Sequence, residues 1–287
     1  MDCCNVPMPA FLLAWLDQAP LLFVGAVLLG LMSAAAAIGY GIGVRRDAAA
    51  RANGIKRENG AEGYIVSATL GLLALLLGFT FSLAVQRFET RRELVVADAN
   101  AIGTAYLRVQ LLSEPHRSRL SGLLINLASN KVELATVRPK DVGPLLAKED
   151  KLLTDIWSAT AAAFDSIRTA PYSYALLEPI NNIIDMDGSR RAARAAHVPT
   201  VVLAVLLFYL IGTAGVLGFV LAHGRAQLAA GFLLILLTLS LLLVIDIDRP
   251  TIGGIRESQE PMQQLFKSLK SQPAAVYDRW RTAPAAP

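Results

Sequence analysis

Four stretches of this chain contain no Asp, Glu, Lys or Arg: Gln18–Val44, Gly63–Gln86, Ala195–Gly224 and Ala226–Ile245. A helix rises ~1.5 Å per residue, so about 20 apolar residues cross the ~30 Å hydrocarbon core of a bilayer. Each stretch reaches that length, which makes the chain an expected integral membrane protein. The charged fraction of 17% agrees, since soluble domains run nearer about 25%. Disorder, collagen and coiled-coil rods are excluded as whole-chain readings.

Several function classes fall away next. Cys3 and Cys4 are the two cysteines and are adjacent, so neither a disulfide framework nor a thiolate metal site is expected. No Lys or Arg precedes Arg45, so the first apolar stretch reads as a retained span rather than a cleaved signal. The net charge of +4 collects beside the apolar stretches, at Arg45, Arg46, Arg87, Arg91, Arg92, Arg190, Arg191 and Arg194. Such residues fix orientation and meet lipid headgroups. Membrane lipid is therefore an expected partner, and nucleic acid is not.

The predicted architecture is all-α, with four transmembrane helices and a helical soluble domain inserted between the second and third. Residues 1–20 form a lead-in, and residues 21–86 hold the first two spans with a polar loop at 45–63. Residues 87–197 form the soluble domain, 198–245 a transmembrane hairpin, and 246–287 a C-terminal tail. The first span is rich in small residues, including Gly25, Gly30, Gly39, Gly41 and Gly43, which permit close helix approach in lipid. The second span has no Pro before Pro115. Phe88, Val95, Ala99, Ile102, Tyr106 and Val109 continue it as a near-heptad seam, so one helix is expected to leave the membrane and reach about Leu112. Ser113 is the expected N-cap of the next helix. Further breaks are predicted at Arg138-Pro139, Gly143-Pro144 and Ala170-Pro171, with a possible interruption at Asp187-Gly188. Pro250 is expected to end the last span.

Near the spans, placing the N-terminus inside puts eight Arg in the cytoplasm and leaves six Lys or Arg outside. The positive-inside rule then places both termini and the 87–197 domain in the cytoplasm, with the plasma (bacterial inner) membrane as the location. Lys/Arg and Asp/Glu nearly balance within 87–197, 15 against 13.

Two segments carry a resemblance. One runs from Gly71 through Leu77, Gly78, Phe81, Ser82, Val85, Arg87 and Phe88 to Arg91, Arg92, Asp98, Asn100, Gly103, Thr104, Tyr106 and Arg108. The other is Asp246-Ile-Asp248-Arg249-Pro250-Thr-Ile-Gly253-Gly-Ile255, followed by Ser258 to Met262. Over roughly 60–270 the chain resembles the bestrophin-like domain family, a set of uncharacterised membrane proteins. The resemblance implies kinship with pentameric anion channels of four spans, hence a homo-oligomer, a pentamer by analogy, with anions as ligands. The eukaryotic channels among them carry a calcium-binding acidic run after the last span. Asp246 and Asp248 alone offer too few oxygen donors for a calcium cage, so calcium gating is not carried over.

Under the resemblance, Leu77, Phe81, Val85 and Phe88 share one helix face. Ringed about an axis, they would form a pore neck that gates by dewetting; ordinary packing is the plainer reading. Arg87, Arg91 and Arg92 would sit at its mouth as an anion vestibule, or serve as interfacial anchors. Asn100, Thr104 and Arg108 recur at i, i+4, i+8 as a polar stripe near Asp98, and a structural network is the plainer reading. Gly71, Gly78 and Ser82 form a small-residue contact seam. His116, His197 and His223 are scattered, and no catalytic group, cofactor site or metal site is expected. The chain is not expected to be an enzyme. The expected role is an oligomeric anion channel or related pore. The alternative is a non-conducting scaffold or sensor whose helical domain binds a partner.

Overall fold

The computed structural model describes residues 19–53, 61–137, 141–170, 173–220, 227–249 and 253–278. Among these the regular structure is helical, with no strand. The helices are α1 (Leu21–Ala52), α2 (Ala61–Val109), α3 (His116–Leu134), α4 (Val142–Ile167), α5 (Ser173–Ala195), α6 (Thr200–Val220), α7 (Gln227–Asp248) and α8 (Glu260–Ser271). A 3₁₀ turn at Ala274–Asp278 follows. The apolar windows of α1, α2, α6 and α7 are long enough to cross a membrane. In lipid, such internally bonded helices satisfy the backbone without water.

The chain divides into two compact units, Met1–Phe88 with Ala196–Arg256, and Glu89–Ala195 with Glu257–Pro287. In the first, α6 packs along α1, and α7 also packs on α1. A Cβ on Gly39 would overlap the carbonyl oxygen of Gly215, and one on Gly218 would overlap that of Ala36. These two helices therefore touch backbone to backbone, which only small residues allow. Met32, Leu73, Leu206 and Leu210 fill the core beside this contact. Gly30 and Gly41 face open space, so only part of the glycine-rich face makes the contact.

In the second unit, Ile102, Tyr106 and Val109 of α2 meet Leu120, Leu124 and Leu127 of α3, Ile156 of α4, and Ile180 and Ile183 of α5. α8 joins through Met262 and Leu269. Tyr106 donates its hydroxyl to the Gln272 carbonyl, and Arg117 pairs with Asp278 at 2.8 Å and donates to the Ala274 carbonyl. Within the expected tail, the described residues from Glu257 on thus belong to this unit, and those before it to the first.

Several local expectations need correction. Residues 45–52 belong to α1 rather than a loop, because no breaker precedes Asn53, which caps the helix. Ser113 does not cap α3 through its side chain. Its carbonyl accepts the Arg117 N–H, while the Glu114 carboxylate accepts the Ser118 N–H. Gly143-Pro144 is not a break. Pro144 sits in the first turn of α4, where its missing N–H has no intrahelical acceptor in any case. Asp187-Gly188 lies within continuous α5. The break at Arg138-Pro139, the Pro250 stop, His223, residues 1–18 of the lead-in and both cysteines lie outside the described residues.

Candidate functional site

α2 carries the candidate neck. Within the first unit, Leu73, Leu77, Thr80 and Ala84 are its buried residues. They follow one another at helical spacing and fix which face of α2 turns inward. Leu77, 8% exposed, packs in this core. Phe81 is 40% exposed. Val85 and Phe88 are half-buried against Ala84, Val198, Val244 and Ile247. The expected stripe is therefore graded, from Leu77 inside to Phe81 outside. Gly78, one turn before Phe81, and Ser82 after it are exposed, as are Leu75 and Phe79 further round the helix. Among the described residues, a Cβ on Gly71 or Gly78 would meet nothing within 4 Å, and Ser82 is exposed.

The candidate vestibule arginines have unlike settings. Arg87 is half-buried, with its Nε unpaired. Arg91 is buried, and Arg92 is exposed and pairs with Glu89 at 3.3 Å. Further along α2, Asn100, Thr104 and Arg108 line an open cleft of about 380 Å³ with Glu178, Pro179 and Asn182 of α5. At its end, Arg108 Nη1 donates to Glu178 at 2.8 Å and to the Ala175 carbonyl at 2.5 Å. Pro179 explains the second bond. It has no N–H for the carbonyl four residues before it, and Arg108 supplies the missing donor.

A charged knot lies in the interior of the second unit. Asp98 is fully buried. Its Oδ2 receives Lys131 Nζ of α3 at 3.0 Å and Arg190 Nη1 of α5 at 2.5 Å. Lys131 also meets Glu149 of α4 at 2.7 Å and Asp187 of α5 at 3.8 Å. Arg191 closes on Asp187 at 2.9 Å from the surface side. Burial, then the nearby Glu149, holds the Asp187 carboxyl above its ordinary range.

At the end of α7, Asp246 Oδ1 accepts the Gly254 N–H at 2.8 Å, and Oδ2 accepts that of Ile255 at 3.2 Å. A Cβ on Gly253 would lie 2.6 Å from Asp246 Oδ1, so the loop needs glycine there. Both Asp248 oxygens accept the Val198 N–H at 3.0 Å. Arg249 donates to the Ala19 carbonyl at 2.9 Å. These residues tie chain segments together. Among the described residues, no group of three or more His, Cys, Asp or Glu is placed to hold a metal ion.

The Bestrophin-like domain model matches residues 30–262. The chain belongs to this family. No curated protein matches it. Among solved structures, a variant of a bacterial bestrophin homologue from Klebsiella pneumoniae is similar at TM-score 0.60 and 17% identity, covering 88% of this chain and 97% of that one. A further structure of a bacterial bestrophin homologue from Klebsiella pneumoniae gives TM-score 0.58 and 19% identity over 92% and 100% of the two chains. A structure described as a membrane protein gives 0.62 and 18% over 88% and 98%. At these identities the likeness is one of fold, and this is a bestrophin-like membrane protein.

The sequence singles out Asp98, offers Asp187 as a helix interruption and Arg190 as a span-flanking residue, and leaves Lys131 and Glu149 unmarked; instead Arg190 pairs with Asp98 and Asp187 sits within α5. A signal for them exists in the bestrophin-like sequence. Lys131 follows Leu120, Leu124 and Leu127 on one helical stripe, and Glu149 precedes Leu152, Ile156 and Ala159 on another. Asp187 and Arg190 continue Leu176, Ile180 and Ile183. A charge in phase with an apolar seam is buried by the same periodicity and requires a partner.

Proposed function

We propose that this bestrophin-like protein is the subunit of a homo-oligomeric anion channel of the plasma membrane, a pentamer by analogy. The single observation that carries the reading is the outward face of α2. One face of this helix packs inside the subunit, while Gly71, Gly78, Phe81 and Ser82 stand free. In lipid, such a small-residue and aromatic face suits contact with further copies. A neck centred on Phe81 would follow, with Val85 and Phe88 beside it and Leu77 supporting it from the subunit core. Arg87, Arg91 and Arg92 would raise the anion concentration at its mouth, with Asn100, Thr104 and Arg108 further along the path. The 89–195 helices would form a soluble domain inserted between the second and third spans, with both termini in the cytoplasm. No enzymatic step enters this reading.

A second reading has its own support. Leu77 lies within the subunit core, as a non-conducting scaffold or sensor would place it. Recording from the purified full chain in planar bilayers, with anion substitution, separates the two. The channel reading expects anion-selective current that grows in Phe81→Ala, because a wider, less apolar neck stays wet. A chain shown to be oligomeric in the bilayer, yet carrying no current in either form, overturns it.

A further inference from the structure

The open cleft between α2 and α5 joins an apolar lining to one charged pair. Its volume of about 380 Å³ lies at the small end of ligand sites, which run roughly 300–1,000 Å³. Ala97, Ala101 and Met186 are half-buried along it, and Pro179 is buried. The two alanines and the proline are short, so α2 and α5 leave space between them instead of filling it. An apolar group seated there would remove apolar surface from water on both helices and on itself.

Arg108 and Glu178 meet at 2.8 Å in the same cleft, and their contact leaves both half-used. Arg108 employs only Nη1, on Glu178 Oε2 and on the Ala175 carbonyl. Among the described residues its Nε and Nη2 make no further bond, and neither does Glu178 Oε1. Nε and Nη2 form the edge of the guanidinium that takes a carboxylate through two parallel bonds. A carboxylate oxygen such as Oε1 receives an ammonium N–H. The pair is neutral as a whole. A simple anion on Arg108 has Glu178 against it, and a simple cation on Glu178 has Arg108 against it, which disfavours either. A ligand that carries both charges on neighbouring groups meets no such opposition.

We infer that this cleft binds a small zwitterion, an α-amino acid with an apolar side chain. Its carboxylate lies on Nε and Nη2 of Arg108, its ammonium on Oε1 of Glu178, and its side chain against Ala97, Ala101 and Met186. The Ala175 carbonyl keeps its own bond, because the ligand does not need Nη1. The Arg108 and Glu178 side chains are 33% and 67% exposed, so water competes for both charges and the ligand exchanges quickly. The site does not rest on the channel reading, and its readout is binding rather than current, so the two can fail separately.

The test uses the purified full chain in nanodiscs, with empty nanodiscs subtracted, and saturation-transfer-difference NMR, which detects weak, fast-exchanging ligands. L-leucine should bind saturably. Isocaproate, which is leucine without the ammonium, and isoamylamine, which is leucine without the carboxylate, should each bind about tenfold more weakly, because each forfeits a charged hydrogen bond and meets a like charge. Glycine, which keeps both charges but lacks the apolar side chain, should also bind more weakly than leucine. Glu178→Gln should lower leucine affinity about tenfold and raise that of isocaproate, whose carboxylate then has no like charge beside it. Should that variant fail to fold, the ligand comparison on the wild type decides. No saturable leucine binding, equal binding of leucine and its two singly charged analogues, or a folded Glu178→Gln chain that ranks the ligands as the wild type does overturns the proposal.

Discussion

Replacing Gly39 with alanine is the sharpest test of how the first unit is held together. The added Cβ would overlap the Gly215 carbonyl oxygen and lie 2.9 Å from its carbon and 3.1 Å from the Phe219 nitrogen. All three are backbone atoms, so no side chain can rotate aside. Restoring a contact of about 3.5 Å requires the helices to part by about 1.5 Å. A gap of that size forfeits at least about half of each neighbouring dispersion contact, worth about 0.1–0.2 kcal/mol apiece. Over the interface this brings the cost to about 1–3 kcal/mol, the usual range for overpacking. Gly41→Ala is the control, because its Cβ meets nothing within 4 Å, and helix propensity then favours alanine by about 1 kcal/mol. Gly25→Ala should fall between them, since the obstacle is the Leu242 side chain at 2.6 Å, which can rotate. Unfolding of the purified chain in detergent, followed by circular dichroism, should rank Gly39→Ala lowest. Equal stability of Gly39→Ala and Gly41→Ala would refute the backbone-contact argument.

Lys131→Met should destabilise the second unit by about 3–5 kcal/mol, because it leaves Asp98 and Glu149 buried without their shared ammonium; thermal melts measure it. Asp248→Asn should cost about 1–2 kcal/mol, since a neutral carbonyl replaces the carboxylate that receives the Val198 N–H, and hydrogen exchange at the start of α6 should locate the loss. Gly78→Leu should leave the melting of the isolated subunit within about 0.5 kcal/mol, because among the described residues a Cβ there meets nothing within 4 Å, yet lower the oligomer mass in mild detergent. Reporter fusions near residue 55, near residue 150 and at the C-terminus should place residue 55 alone on the far side.

The apolar periodicities carried most of the fold. Unbroken runs marked the apolar helices, and the seam from Val95 to Val109 carried α2 past the second run without interruption. Where the sequence misled, a local rule met a stronger one. Ser113 has the chemistry of an N-cap, but the Glu114 carboxylate reached the donor instead. Asp187-Gly188 reads as a turn, yet Asp187 is held inside α5 by Lys131 and Arg191. For the candidate site, the pattern located the α2 face but not how far round it the subunit core extends. That boundary depends on α1, α6 and α7, whose positions no α2 residue encodes. The charged knot was invisible for a related reason: each member looks solvent-facing by residue type, and only its phase on its own helix marks it as interior.

The bond between Arg108 and the Ala175 carbonyl ties together the histories of two distant positions. Pro179 creates a vacancy in the backbone of α5, and Arg108 of α2 fills it. Losing the arginine alone leaves that exposed carbonyl to water. Replacing the proline alone restores the helix's own donor, which then competes with the guanidinium for the same oxygen. Neither residue is neutral to change while the other stays, but exchanging both together heals the helix. Residues 108 and 179 should therefore drift as a pair, although no side-chain contact between them is needed to enforce it.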